Sequence, residues 1–189
     1  MRLERPASQI ILRAILICTL LLLAAALRIA PHPWNFTPVG AMALFSGAMI
    51  RDRRLAYLCA ILAMLAGDVF IGFNKLSALI YASFALSVLI GRLVISRRTV
   101  LRIGGATFLG SLQFYLITNF GVWAFLGSYP RTAAGLLACY VNGLPFLGNT
   151  LAGDAVYASL LFGAVAVAEH VVPGLRQSQY GNQAPSQPS

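Results

Sequence analysis

Two aspartates close the same tripeptide, Ala-Gly-Asp, at residues 66–68 and 152–154, and both fall inside strongly apolar runs. A carboxylate in a membrane-buried segment costs about 2.5–3.5 kcal/mol at mid-bilayer and usually faces a bundle interior or a water-filled cavity. Asp68 and Asp154 are therefore the residues around which chemistry is most readily organised. Tyr115, Asn119 and Trp123 recur at i, i+4 and i+8, which places them on one helix face. Thr150, Asp154 and Tyr157 follow the same rule at i, i+4 and i+7. Gln113 is the most deeply placed polar residue of its run. Between the first two apolar runs lies PHPWNFTPVG, residues 31–40, which adds His32, Trp34, Asn35 and Thr37. Tyr81, Asn74, Tyr129 and Asn149 complete the set.

These groups need elements to carry them. Of 189 residues, 59% are hydrophobic and 10% charged, and the mean hydropathy is +0.78. A soluble domain carries about 25% charged residues, so this chain could not cover a soluble surface. The expected class is an all-α integral membrane protein with six transmembrane helices. The spans read as about 10–30, 39–50 extended by its flanks, 55–73, 77–95, 103–126 and 150–172. They form one polytopic membrane domain over residues 1–175. The stretch 133–147 is short and interrupted by Asn142, Gly143 and Pro145, so it reads as a short outer-surface or re-entrant segment before the last span. The tail 176–189 is polar and rich in Gln, Ser and Pro, and reads as a disordered cytoplasmic tail.

Charge orients the chain. Arg2, Arg5, Arg13, Arg51, Arg53, Arg54, Arg92, Arg97, Arg98, Arg102 and Arg176 fall on one side of this topology. Only Arg28, Lys75 and Arg131 fall on the other, so both termini are expected in the cytoplasm of a bacterial inner membrane. The first span also has the basic start and apolar centre of a secretory signal, whose cleavage would leave five spans. The cations cluster at the ends of apolar runs, which argues for topology rather than nucleic-acid binding. With that orientation, Asp68 and Asp154 lie about 6–8 Å below the outer boundary at 1.5 Å per residue. The inner half is almost purely apolar until Glu169 and His170.

One-sided clustering of amides, hydroxyls, rings and carboxylates suggests a cavity open to the outside, with the small residues of each Ala-Gly-Asp bringing the two aspartates together. The structural alternatives are an ion pair of either aspartate with Arg28, Lys75 or Arg131, and an interfacial aromatic belt for Trp34, Trp123 and Tyr129. No nucleotide loop, metal-ligand spacing or nucleophile motif is present in the sequence, so no catalytic residue, metal or cofactor is expected.

The segments PHPWNFTPVGAMALFSGA, LAGDVFIGF, YASFAL, LITNFGVW, YPRTAAGLLACYVNGLPF and NTLAGDAVYASLLFG resemble a bacterial family of small, uncharacterised membrane proteins. That family is similar to the substrate-binding S components of energy-coupling-factor (ECF) vitamin transporters. The resemblance covers about residues 24–163. It implies a six-helix bundle with an outward pocket for a vitamin-like small molecule, cobalamin among the candidates. It also implies a partner T component with ATPase subunits. An alanine-x-x-x-alanine docking seam would fall on Ala26 and Ala30, and a cobalt-ligating cysteine would have to be Cys139. Asp68, Asn119, Trp123, Asn149 and Asp154 are the expected pocket residues, with Asn35, Thr37, Tyr81, Tyr115 and Tyr157 in a second tier. The competing expectations are an assembly protein that recruits a partner protein through its polar outer face, and an intramembrane enzyme using Asp68 and Asp154.

Overall fold

In a computed structural model that describes residues 7–31, 33–94 and 97–176, the chain is entirely helical among the described residues. His32, Arg2, Arg5 and the tail beyond Arg176 lie outside them. Six helices follow in order: α1 Ala7–Leu27, α2 Val39–Met49, α3 Arg53–Ile71, α4 Ser77–Arg92, α5 Val100–Phe125 and α6 Ala133–Val171, before a short 3-10 turn at Pro173–Leu175. Four of them, α1, α3, α5 and α6, are long and apolar enough to cross a membrane. Large apolar side chains such as Leu22, Phe70, Leu160 and Val167 point outward, as they do where the solvent is lipid. This is a helical membrane protein.

Local chemistry sets several boundaries. Asp52 caps α3 by accepting from the Leu55 N–H at 2.9 Å, Thr99 caps α5 through Arg102 N–H, and Thr132 caps α6 through Gly135 N–H. Each satisfies one of the four N–H groups that a helix start leaves unpaired. At the other end of α3, Gly72 takes φ +93°, a left-handed conformation that glycine adopts without a Cβ penalty.

At the centre lies α2. Nearly every one of its residues is buried, and it touches all five other helices. Its tightest neighbour is α4, where a Cβ on Gly47 would overlap the Val88 carbonyl and one on Gly91 would overlap that of Leu44. The two glycines thus let backbones meet where side chains would hold them apart. The span expected over 39–50 needs correction. The helix has 11 residues and rises only about 16 Å, half of the roughly 30 Å hydrocarbon core. Pro38 precedes its first turn and Asp52 already starts α3, so its flanks cannot lengthen it. The end of the connector, Phe36 to Pro38, therefore turns into the bundle to reach it, with Pro38 buried.

The second correction concerns 133–147. It is not a separate outer segment but the first part of α6, a continuous 39-residue helix with Pro145 inside. Proline removes the N–H that would bond to the carbonyl four residues earlier, that of Val141. Bonds to α5 brace the helix one residue before that carbonyl: Tyr115 donates to the Tyr140 carbonyl at 2.5 Å, and Tyr140 donates to the Leu116 carbonyl at 3.0 Å. Packing against neighbouring helices is what makes proline tolerable in membrane helices. Asn142 and Pro145 face outward, so neither costs a buried polar group.

The far end of the bundle is closed by charge. Glu169 on α6 accepts from Arg13 on α1 at 2.7 Å and from Arg98, just before α5, at 3.1 Å, while Arg13 also donates to the Leu175 carbonyl. One carboxylate thus ties together α1, the start of α5 and the end of α6.

Candidate functional site

The connector forms the clearest site because α6 offers it a whole face. Asn149, Gly153, Asp154 and Tyr157 follow at i, i+4, i+5 and i+8 and share one side of the helix. Asn149 donates to the Trp34 carbonyl at 2.9 Å, and the Tyr157 ring meets the Phe36 ring with centroids 5.8 Å apart. A Cβ on Gly153 would come within 3.1 Å of the Phe36 Cα, so glycine there seats the connector backbone. Asn35 itself has φ +61°. Among non-glycine residues, asparagine is one that tolerates this left-handed region, which costs others about 1–2 kcal/mol. Asn35→Gly is therefore expected to leave thermal stability unchanged, and Asn35→Val to lower it by about 1–2 kcal/mol; thermal unfolding of the purified variants checks both.

Asp154, only 5% exposed, sits where this connector turns into α2. Its carboxylate accepts from the Ala41 N–H at 3.0 Å and from the Ser111 hydroxyl at 2.7 Å. Ala41 is the third residue of α2, and Pro38 at the N-cap supplies no side-chain acceptor. A residue of α6 therefore caps α2, and the partial positive charge of the helix start favours the carboxylate. No cation among the described residues pairs with it. A Cβ on Gly40 would strike its oxygens, so the close approach requires glycine.

A narrow cleft opens beside this carboxylate, lined by Asn35, Thr37, Gly40, Phe84, Ser87, Gly110, Phe114, Thr150 and Asp154. Its volume is about 40 Å³, enough for roughly three waters. Phe84 and Phe114 stack at 5.2 Å and supply its apolar wall. Behind Ser87 lies Gln113, which donates to the Ser87 hydroxyl and the Ser83 carbonyl at 3.0 Å each. The Oε1 of Gln113 is buried without a partner among the described residues.

The other sequence-selected residues go elsewhere. Asp68 accepts from Arg28 and from the Tyr81 hydroxyl, the latter at 2.7 Å, and Arg28 also donates to the Met64 carbonyl. This is the structural ion pair, joined by Tyr81, that links α1, α3 and α4. Gly67 makes room for the Arg28 guanidinium as Gly153 does for the connector. The two Ala-Gly-Asp motifs thus do the same local job, but their carboxylates share no partner and the structure does not bring them to one site. Tyr115, Asn119 and Trp123 line the α5–α6 seam: Asn119 bonds to its own Tyr115 carbonyl and lies on Gly143, and Trp123 donates to the Pro130 carbonyl at 2.9 Å. Cys139 is buried there and donates to the Asn119 carbonyl, away from the cleft lining. Of the ten selected residues, Asn35, Thr37 and Asp154 line the cleft, and Asn149 and Tyr157 hold its connector wall. Ser87, Ser111 and Gly40 were missed. The i, i+4 pair Ser83 and Ser87 was the readable signal, since two hydroxyls on one face of an apolar helix mark its polar side.

A family model described as a family of unknown function, DUF6580, matches residues 8–175. The chain belongs to this family. No curated protein matches the chain, and no solved structure does. The DUF6580 match takes in all six helices and both Ala-Gly-Asp motifs, so the connector, the cleft and the ion-paired Asp68 all lie in the family region.

Proposed function

We propose that this protein is a substrate-binding component of the cytoplasmic membrane, S-component-like, which captures a small molecule at the Asp154 cleft from the outer side, with both termini inside. The observation that carries this reading is a 95% buried carboxylate beside a cleft, with no cation among the described residues to neutralise it. Burying a charge is costly unless it is paired or hydrogen-bonded, and Asp154 keeps acceptor capacity beyond its two donors: a carboxylate has about four lone-pair sites. Ligand binding of the vitamin type needs more space than about 40 Å³, so capture would involve the connector moving off α6. Contacts that would have to open include the Asn149 hydrogen bond to Trp34 and the Phe36–Tyr157 ring pair. A T component with ATPase subunits remains the proposed energising partner.

A thermal-shift screen of small metabolites on the purified chain tests this. A true ligand at 100 times its Kd stabilises by about 2.7 kcal/mol, and that gain is expected to vanish in Asp154→Asn while the unliganded variant still unfolds cooperatively. A wild-type protein that no metabolite stabilises contradicts the reading.

A further inference from the structure

We propose that the cleft selects a cationic amine. The inference rests on the binding reading above and adds the chemical class of the ligand.

The argument is a count of hydrogens. Thr150 donates its hydroxyl hydrogen to the Phe146 carbonyl at 2.8 Å. Ser87 donates to the Ser83 carbonyl at 3.2 Å and accepts from Gln113. Ser111 spends its hydrogen on Asp154 or on the Thr107 carbonyl. A hydroxyl has one hydrogen and two lone pairs. The side chains on the helix walls of the cleft therefore offer acceptors only: lone pairs of Thr150 and Ser87, and the remaining lone pairs of Asp154. Side-chain donors among the lining residues come from the connector, through the Asn35 amide and the Thr37 hydroxyl, beside the backbone N–H of Gly40 at the start of α2.

An anion in such a recess meets the Asp154 carboxylate and the hydroxyl lone pairs of Thr150 and Ser87. A neutral alcohol brings one hydrogen for several acceptors. An ammonium group brings three hydrogens and the charge that Asp154 lacks, and charge-assisted bonds of this kind are about twice as strong as neutral ones. The stacked Phe84 and Phe114 rings form an apolar wall for the carbon next to the nitrogen, and aromatic faces attract cations as well. A space of about 40 Å³ suits the aminomethyl end of a molecule whose remainder passes Asn35 and Thr37, where acceptor groups on the ligand would find donors.

The test uses the full-length chain in phosphatidylglycerol nanodiscs and three probes of one shape: ethylammonium, ethanol and acetate, titrated by saturation-transfer NMR. Ethylammonium is expected to bind in the millimolar range, at least tenfold tighter than ethanol, and acetate not at all. Asp154→Asn should weaken ethylammonium at least tenfold and leave ethanol unchanged. Should that variant fail to fold, Thr150→Val, which removes an acceptor at constant volume, is expected to weaken ethylammonium severalfold. Adding phosphatidylethanolamine to the nanodisc tells a free amine from a lipid headgroup; competition or its absence both stay within the amine class. Equal binding of ethanol, binding of acetate, or no binding of ethylammonium overturns the inference. A neutral or anionic hit in the metabolite screen, lost in Asp154→Asn, would overturn the amine class while leaving the binding function standing.

Discussion

Asp68→Ala is expected to lower the stability of the folded chain by about 3–5 kcal/mol, the usual cost of removing one partner from a buried ion pair. Asp68 is 6% exposed, and Arg28 beside it is held in the same interior by Asp68 and the Met64 carbonyl. Truncating the aspartate leaves the guanidinium without its carboxylate in a low-dielectric site, and leaves the Tyr81 hydroxyl without its acceptor. The attraction itself is not what makes the loss large, since desolvation offsets much of it. A double variant, Arg28→Met with Asp68→Leu, should therefore recover most of the stability. Tyr81→Phe should cost less, about 1.5–3 kcal/mol for one hydrogen bond to a charged group. Unfolding of the four proteins in detergent measures all of this. A single Asp68→Ala loss below 1 kcal/mol, or a double variant as unstable as the single, would show that the pair does not bind α1 to α3.

The second large effect is expected at Gly47. Helix propensity favours Gly47→Ala by about 1 kcal/mol, but the new methyl would overlap the Val88 carbonyl, a backbone atom that cannot rotate away. Overpacking of this kind typically costs about 1–3 kcal/mol and occasionally more. Here it also levers α2 away from α4 at the one place where Gly91 meets Leu44 in the reciprocal contact. The clash should win, with a net loss of about 2 kcal/mol, and Gly47→Val should fail to accumulate as a folded protein. Gly104→Ala is the control, because a Cβ there meets nothing within 4 Å and should leave stability equal or slightly raised. Alanine at Gly47 with unchanged melting would contradict the close α2–α4 approach.

The elements legible in the sequence were those whose cause is local. The long apolar runs of α1, α3 and α5 fell within about three residues of their expected bounds, because length and flanking caps such as Asp52 and Thr99 decide them. The continuity of α6 was not legible, because Pro145 and Asn142 are breaking signals whose effect α5 overrides across space. Nor was the shortness of α2, since an apolar run says what can be buried but not how far it rises. The same division holds at the site. Thr150, Asp154 and Tyr157 could be placed on one face from spacing alone. Depth in the membrane put Asp68 and Asp154 at one level, but level does not fix which way round the bundle a side chain looks. Arg28 claimed the first; the bare N-terminus of α2 claimed the second.

The most direct measurement is mass spectrometry of the small molecules released on denaturing the protein, after gentle purification from cells grown in rich medium, for the wild type and for Asp154→Asn side by side. A compound near one per chain in the wild type and absent from the variant is the result expected of a cleft built around Asp154. The same compound retained in equal amount by the Asp154→Asn protein would contradict that account and place the ligand elsewhere in the bundle.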